Sequence, residues 1–469
     1  MVGGLSGERM LIGLIIGIIL LIVLVLKTKI HAFIALILSA IVIGVIGGMP
    51  LVNTKLESGA TFGIINSVTT GFGNTLGSIG IIIGFGVIMG QIFEVTGAAK
   101  RMALTFLKVF GKNREEEALA VTGFMVSIPI FCDSGFIILA PIAKAISRAT
   151  KKSVISLGAA LAAGLVITHS LVPPTPGPLG VAGIYGIDVG KFILIGFVLA
   201  IPMTLACTAY ARYIGKKIYQ LPDETEESGY KRMPYQKPDY SQEAKLEAEN
   251  IPGTVESFFP ILVPIVLILI ATVTSAMKLK EGYMQIFQFI GSPICAVGIG
   301  LVLAILTLGR SLTREQILKE MEKGMASAGI IMLVTGGGGA LGQIIKDSGL
   351  GSYIAQGLAG SGLPIVILPF VIATLIRFIQ GSGTVAMTTA ASITAAIVAE
   401  SGGNPYMAAL ACCVGSLFFS YFNDSYFWVV NRTLGVSDTK DQIRTYSITS
   451  TIAWAVGFAE IMILSIFFH

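Results

Sequence analysis

The chain has 469 residues, of which 54% are hydrophobic and only 13% are charged, and its mean hydropathy is +0.82. A soluble core cannot hide that much apolar surface, so the composition predicts an integral membrane protein and excludes a soluble globular one. The net charge of +5 comes from loops between apolar segments and does not indicate nucleic-acid binding. The five cysteines show no paired spacing, so we predict no disulfide framework, no metal site and no cofactor.

Apolar segments long enough to cross a membrane recur along the chain. A spanning helix needs about 20 mostly apolar residues, and the segment nearest the N-terminus has no cleavage site behind it, so we interpret it as a retained span. The sequence therefore predicts an all-α polytopic membrane protein with about ten transmembrane helices. The predicted spans are Met10 to Leu26, Ile30 to Met49, Thr75 to Thr96, Ser153 to Ile187, Phe192 to Tyr213, Phe258 to Met277, Met284 to Leu308, Met325 to Ile345, Tyr406 to Val430 and Tyr446 to Phe468.

Two further apolar regions are predicted to be re-entrant hairpins, because their legs are too short to span. In residues 117–147 the two legs meet at Cys132-Asp133-Ser134-Gly135, and cations flank both ends. A segment that begins and ends among cations enters from the cytoplasm and returns to it. Residues 363–400 have the tip Gly381-Ser382-Gly383 and almost no flanking cations, which predicts entry from the opposite face.

The span after each hairpin is interrupted at mid-membrane. Residues 153–187 are broken between His169 and Pro178, and residues 405–431 are broken between Ser420 and Ser425. A polar segment, residues 215–256, is predicted to be a cytoplasmic linker between the first transmembrane repeat, residues 1–214, and the second, residues 257–469.

The two halves are predicted to be inverted repeats. Gly90-Gln91-Ile92 in the first half recurs as Gly342-Gln343-Ile344 in the second. With both hairpins included, corresponding elements cross the membrane in opposite directions, and most Lys and Arg residues fall on the cytoplasmic side. Inverted repeats let two pseudo-symmetric states expose a midplane site to each side in turn, so the architecture predicts a secondary transporter and not an enzyme.

The substrate site is expected where helices are broken, because non-helical backbone at membrane depth is tolerated where it lines a polar cavity. Helices that start at the hairpin tips direct the positive ends of their dipoles toward a small anion. Hydroxyl groups both donate and accept hydrogen bonds, which suits a polyhydroxylated substrate. The predicted substrate-binding residues are Asp133, Ser134, Gly135, His169, Thr175, Gly177, Gly381, Ser382, Gly383, Thr384, Asn423, Asp424 and Ser425.

Ionisable residues within the membrane are functional candidates, because charge is costly there. Asp133 and Asp424 lie in the breaks, and either is predicted to take up a proton as the substrate binds. His169 is the third candidate for proton coupling, with a structural histidine bonded to a carbonyl as the alternative. Arg377, about one turn before the second tip, is predicted either to pair with a substrate carboxylate or to form a structural pair with Glu94 or a carbonyl.

The broken segments resemble those of the gluconate permease family, and the similarity runs nearly end to end. The resemblance implies proton symport of gluconate or a related sugar acid across the bacterial inner membrane, on the fold of the larger ion-transporter superfamily, and a homodimer. The family commonly has alanine where Gly383 stands, which bears on fine specificity rather than on transport. The segments that carry the resemblance are Phe131 to Phe136, His169 to Pro178, Gln380 to Ala386 and Phe422 to Ser425.

Three other functions remain open from the sequence. A sodium-coupled carboxylate transporter of the same architecture would bind the cation through backbone carbonyls and Asn or Ser groups at the tips. A permease for D-serine or another hydroxy acid would share the same motifs. An intramembrane hydrolase would use Ser134 with His169, but an inverted repeat has no role in hydrolysis.

Overall fold

The computed structural model is mostly helical, and it describes residues 5–28, 30–55, 61–223, 225–226, 229–239, 251–276, 282–351, 353–354, 364–421 and 424–467. Nine helical segments within these ranges are long and apolar enough to cross a membrane. The strands form two short antiparallel pairs, Thr54–Lys55 (β1) with Thr61–Phe62 (β2) and Gln220–Pro222 (β3) with Tyr230–Arg232 (β4). The predicted fold class, an all-α polytopic membrane protein, is confirmed.

The described residues of the first half form nine helices. Its broken span follows from prolines, because Pro173 and Pro174 cannot continue a helix, whereas Pro176 is tolerated in the first turn of the next one. The helices are α1 (Gly7–Leu26), α2 (Ala32–Gly47), α3 (Ile64–Thr96), α4 (Ala98–Phe110), α5 (Glu115–Val126), α6 (Cys132–Thr150), α7 (Val154–Leu171), α8 (Pro176–Tyr185) and α9 (Val189–Lys217).

The second half repeats this order after the linker. Pro293 begins a new helix, and it therefore divides the predicted span Met284 to Leu308 into two helices. The helices are α10 (Thr254–Ala276), α11 (Gly282–Ile290), α12 (Pro293–Thr307), α13 (Arg314–Asp347), α14 (Ile367–Gln380), α15 (Gly383–Glu400), α16 (Pro405–Gly415), α17 (Ser425–Thr433), α18 (Thr439–Gln442) and α19 (Ile448–Phe467), with a 3₁₀ turn at Gly309–Ser311 and a π-helical turn at Ile443–Ser447.

The long helices α3 and α13 cross each other in close contact. A Cβ atom on Gly71 would lie 2.4 Å from the Gly339 carbonyl oxygen, and one on Gly339 would lie 2.1 Å from the Thr75 hydroxyl. Only glycine allows two helix backbones to approach this closely, so larger side chains at this crossing would force the helices apart. We call α3 and α13 the crossed pair.

The broken span of the first half lies at the centre of the molecule. In Val154–Tyr185, 94% of the most apolar window is buried inside the protein, compared with 28% for the window of the span nearest the N-terminus. The span Val154–Tyr185 is therefore surrounded by protein, whereas α1 lies where lipid would contact it. A central position is expected of a span that carries part of a transport site.

Part of the predicted linker is ordered against the second half. The Gln220 side-chain amide donates to the Leu434 carbonyl at 2.7 Å, and the Tyr230 hydroxyl donates to the Thr433 carbonyl. Arg232 forms an ion pair with Asp441 at 2.5 Å. The β3–β4 pair is thus a clasp between the end of α9 and the region around α17 and α18, whereas the sequence predicted only a solvated connector.

Candidate functional site

The first hairpin consists of α5 and α6, and its turn lies earlier than the sequence predicted. Residues 127–131 form the turn, and α6 already begins at Cys132. Asp133 therefore lies in the first turn of a helix rather than in a loop. Phe131 is the N-cap residue of α6, and no described side chain caps the N–H groups of the first turn of this helix.

The second hairpin consists of α14 and α15, with its turn at Gly381 and Ser382. Gly381 has a φ of +82°, in the left-handed region that favours glycine, and it ends α14. The Ser382 hydroxyl accepts a hydrogen bond from the Val385 N–H at 3.3 Å and caps α15. The predicted turn and the start of the second leg agree with the structure to within a residue.

The broken span of the second half restarts at Asp424. The Asp424 carboxylate accepts a hydrogen bond from the Tyr426 N–H at 3.1 Å and so caps α17. Because the residue caps a helix at the break, its carboxylate is held at the interruption between α16 and α17. Asn423, a predicted binding residue, lies outside the described residues.

The two hairpin turns, the last turns of α7 before the first break, and the second break meet at one cavity of about 350 Å³. The starts of α6, α15 and α17 all contribute to its wall, so three helix N-termini border the same space. The lining residues that the sequence predicted are Asp133, His169, Gly381, Ser382, Gly383, Thr384, Asp424, Ser425 and Arg377; the others are Phe131, Cys132, Val166, Ser170, Ser416 and Tyr426.

A buried ion pair lies in the wall of this cavity. An Nη atom of Arg377 lies 2.6 Å from Oδ2 of Asp424, and the two side chains are only 5% and 9% exposed. The Ser420 hydroxyl donates to the same carboxylate. The Nε atom of Arg377 is buried and has no hydrogen-bond partner among the described residues. Of the sequence-based interpretations of Arg377, the structural pair with Glu94 is therefore wrong, because its carboxylate partner is Asp424.

Asp133 is the second carboxylate at the cavity, and the described side chains that contact it are uncharged. The Ser425 hydroxyl donates to Oδ1 of Asp133 at 3.1 Å, and the Cys132 thiol lies 3.6 Å from Oδ2. Ser425 directly follows Asp424 in the chain, so the two acidic residues share one polar neighbour. This contact joins the first hairpin of one half to the broken span of the other.

Four of the predicted binding residues lie away from the cavity lining. The Ser134 hydroxyl is within hydrogen-bonding reach of the Glu94 carboxylate, and a Cβ atom on Gly135 would lie 2.7 Å from the Leu165 side chain. The Thr175 hydroxyl donates to the Val172 carbonyl at 2.5 Å. Gly177 packs against Met387. We assign these four residues to local structure and helix packing.

His169 lines the cavity but makes few polar contacts there. Its Nδ1 atom has no hydrogen-bond partner among the described residues, and its ring centroid lies 5.7 Å from that of Phe131. The bond to a carbonyl that the sequence left open as an alternative is not recorded at this nitrogen. This nitrogen is therefore a buried polar atom that no described residue satisfies.

The sequence reasoning did not single out Ser416, Ser420 or Tyr426. Ser416 and Ser420 are four residues apart and both follow the end of α16 at Gly415, and this spacing beside a predicted break could have identified them. Tyr426 follows Ser425 and carried no comparable signal. Among the described residues no group of three or more His, Cys, Asp or Glu side chains is arranged to hold a metal ion.

Comparisons with known proteins place the chain among permeases. A family model described as GntP family permease matches residues 9–467. An uncharacterised permease of Haemophilus influenzae is 44% identical over 98% of this chain and 92% of its own length. The high-affinity gluconate transporter of Escherichia coli is 32% identical over 94% of this chain and 95% of its own length.

One solved structure shares the architecture. The YdaH transporter of Alcanivorax borkumensis, whose topology is described as unusual, aligns with a TM-score of 0.60 over 91% of this chain and 97% of its own. The sequence identity is 16%, so this likeness establishes the fold alone.

Proposed function

The chain belongs to the GntP family of permeases and is a multi-pass transporter of the bacterial inner membrane, and from that premise we propose that it imports D-gluconate or a closely related sugar acid with a proton by alternating access. The gluconate transporter among its relatives suggests the substrate class. The observation that carries the proposal is the combination of charges and hydroxyl groups around the 350 Å³ cavity.

The cavity offers an anchor for a carboxylate and partners for a hydroxylated chain. Arg377 supplies a buried guanidinium whose Nε has no partner among the described residues, and guanidinium groups bind carboxylates through paired hydrogen bonds. Ser382, Thr384 and Ser425 supply hydroxyl groups in the same wall. A sugar acid carries both functions on one small molecule, so it matches this lining better than a purely apolar acid would.

The balance of charge supports the uptake of a proton. With both carboxylates ionised, Asp133, Asp424 and Arg377 give the cavity a formal charge of about −1, and a bound monocarboxylate makes it about −2. Excess charge of one sign is strongly unfavourable away from water. Protonation of one carboxylate offsets the substrate's charge. Asp424 is held by Arg377 and Ser420, so we propose Asp133 as the proton carrier.

Contacts of the hairpins with the crossed pair support alternating access. Gly90 on α3 and Gly342 on α13 are counterparts in the repeat. A Cβ atom on Gly90 would lie 2.0 Å from the Pro129 carbonyl, in the turn of the first hairpin, whereas one on Gly342 would lie 2.9 Å from the Ser392 carbonyl, well along α15. The first hairpin therefore meets its long helix at the turn and the second hairpin along its leg.

This offset is the difference expected when one of two pseudo-symmetric arrangements is occupied. Ser392 lies nine residues after the start of α15, or about 14 Å along a helix at 1.5 Å per residue. Because the first hairpin is predicted to enter from the cytoplasm and the second from outside, both contacts indicate a displacement toward the cytoplasm. The opposite arrangement would exchange the two kinds of contact.

Uptake by proteoliposomes tests this function. We expect D-gluconate to accumulate when the outside is more acidic than the inside, in the absence of sodium, and to compete with other sugar acids more strongly than with D-serine. Accumulation that requires sodium would favour the sodium-coupled alternative. Failure to bind or transport any sugar acid would refute the substrate class. Mass measurement of the purified protein tests the homodimer that we propose from the family resemblance.

A further inference from the structure

A second cavity, of about 400 Å³, shares no lining residue with the first. One wall is formed by the crossed pair, at Gly71 to Ser78 of α3 and Gly339 to Lys346 of α13. The other wall is formed by the ends of α8 and α15, at Tyr185 and Glu400. These ends lie on the face that the charge distribution predicts to be outside. The cavity therefore lies apart from the site proposed for transport.

The chemistry of this cavity resembles that of a sugar-acid site. Amide groups come from Asn74 and Gln343, and a cation comes from Lys346, which forms no ion pair with another described residue. Gln343 is held in place because its side-chain amide donates to Asp347 at 2.7 Å, and Asp347 accepts a further hydrogen bond from Ser67. An amide fixed in this way keeps its oxygen free to accept a hydrogen bond from a ligand.

Hydroxyl groups and the balance of charge define the ligand class further. Thr75, Ser78, Tyr185 and Ser392 add hydroxyl groups around the cavity. The charged residues in the lining are one cation, Lys346, and one carboxylate, Glu400, so the formal charge of the lining is close to zero. The lining therefore offers one cationic anchor, which suits a ligand with one carboxylate rather than two. We propose that this cavity is a second binding site for a small polyhydroxylated monocarboxylate, distinct from the central cavity.

The position of the site makes its occupant a regulator of transport. The crossed pair is packed glycine to glycine and forms a fixed wall, whereas α8 and α15 carry parts of the broken span and of the second hairpin. A Cβ atom on Gly183, near the end of α8, would lie 2.7 Å from Ile79 of α3. A ligand that touches both walls binds this arrangement better than the opposite one, so it holds the transporter in this arrangement.

The site binds the same class of compound as the proposed substrate, and in that respect the inference rests on the proposed function. At high external concentration, the sugar acid would occupy this cavity and hold the carrier in the arrangement described here. The carrier would then return more slowly to the opposite arrangement, so the sugar acid would slow its own uptake. The two sites are separable by experiment because no residue lines both cavities.

Protection of an introduced cysteine tests the second site directly. Ala395 lines the cavity and is partly exposed, and Cys295 is the one native cysteine that is not buried. In an Ala395→Cys, Cys295→Ser variant, an impermeant maleimide should label position 395 from outside. D-gluconate at about ten times its dissociation constant should slow labelling roughly tenfold, since only the unoccupied fraction reacts.

Two further substitutions decide where the protecting gluconate binds. Adding Lys346→Gln should raise the concentration for half-protection roughly tenfold, through loss of a charge-assisted hydrogen bond, whereas adding Thr384→Ala in the central cavity should leave protection unchanged. Lack of protection, or protection that is lost with Thr384→Ala and kept with Lys346→Gln, overturns the inference. Protection without uptake would refute the proposed function and retain this site, and uptake without protection would do the reverse.

Discussion

The two hairpins are counterparts in the repeat, yet they bring different chemistry to the central cavity. The first hairpin contributes Asp133, whose recorded contacts are the uncharged Ser425 and Cys132. The second contributes Arg377, which is ion-paired with Asp424. The symmetry of the fold thus does not extend to its charges. We interpret the first half as the one that carries the proton-binding group, Asp133, and the second half as the one that anchors the substrate anion through Arg377.

Breaking the ion pair of the second hairpin should have the largest effect. Arg377→Gln leaves the buried Asp424 carboxylate without its partner, and removal of one member of a buried pair costs about 3–5 kcal/mol of unfolding free energy. Gluconate binding should be lost as well. Denaturant unfolding and equilibrium binding measure the two effects, and Arg310→Gln, at an exposed arginine, is the control.

The same pair allows a double-mutant cycle. If Arg377 and Asp424 stabilise each other, Arg377→Gln combined with Asp424→Asn should cost less than the sum of the two single changes, because no buried charge is left unpaired. Strict additivity would show that the pair is not coupled, and it would contradict the interpretation of the Arg377–Asp424 contact as a stabilising ion pair.

Gly90→Val should sharpen the contrast between the two hairpin contacts. A Cβ atom at Gly90 would lie 2.0 Å from the Pro129 carbonyl, and overpacking of this kind costs about 1–3 kcal/mol. The clash is expected in this arrangement and not in the opposite one. The equilibrium between the two arrangements should therefore shift toward the opposite one by roughly one to two orders of magnitude, and uptake should fall. Gly77→Ala in the same helix meets no atom within 4 Å and is the matched control; equal uptake by both variants would contradict the alternation.

Asp133→Asn should separate proton coupling from substrate binding. Asparagine keeps the shape of Asp133 and an oxygen that can accept from Ser425, but it cannot titrate, so substrate exchange should persist while accumulation against a gradient is lost. Counterflow and proton-driven uptake in liposomes distinguish these outcomes. If the variant retains full accumulation driven by a pH gradient, Asp133 is not the proton carrier.

Cysteines placed next to the two hairpins should change uptake least. They test whether the hairpins enter the membrane from opposite faces. Lys151 follows the first hairpin and is predicted to be cytoplasmic, whereas Lys346 precedes the second and is predicted to be outside. An impermeant reagent added outside intact cells should modify Lys346→Cys but not Lys151→Cys, with little change in uptake by either variant at low external gluconate, where the second cavity is empty. Modification at position 151 would refute the entry of the first hairpin from the cytoplasm.

The sequence predicted the order of the elements better than their limits. Apolar windows placed the beginnings of two spans at Thr75 and Met325, whereas α3 and α13 begin eleven residues earlier, at Ile64 and Arg314. The early turns of these helices contain many polar residues, so a window that measures hydropathy cannot recognise them. The capping box at Thr313 and Gln316 is a local signal that marks the true start of α13.

The site was predictable only to the level of the segments that form it. Polar residues at breaks located the second hairpin turn and both interrupted spans, because unpaired backbone at membrane depth requires a polar cavity, but they placed the first hairpin turn several residues too late. The partner of Arg377 was not predictable, since Asp424 is 47 residues away in the chain and the pair depends on tertiary packing. For the same reason the sequence could not tell that Asp133 faces the cavity while Ser134 lies toward Glu94.

The clasp formed by β3 and β4 has a consequence for the synthesis of the protein. Tyr230 and Arg232 contact Thr433 and Asp441, which are made about 200 residues later. At ordinary rates of translation this delay lasts roughly 10 to 40 s. During that interval the first half is expected to be in the membrane already, but its strand pair, which is predicted to be cytoplasmic, has no surface to close on. Biogenesis therefore passes through a half-built carrier whose strand edge is open to chaperones, to the insertion machinery or to a neighbouring nascent chain.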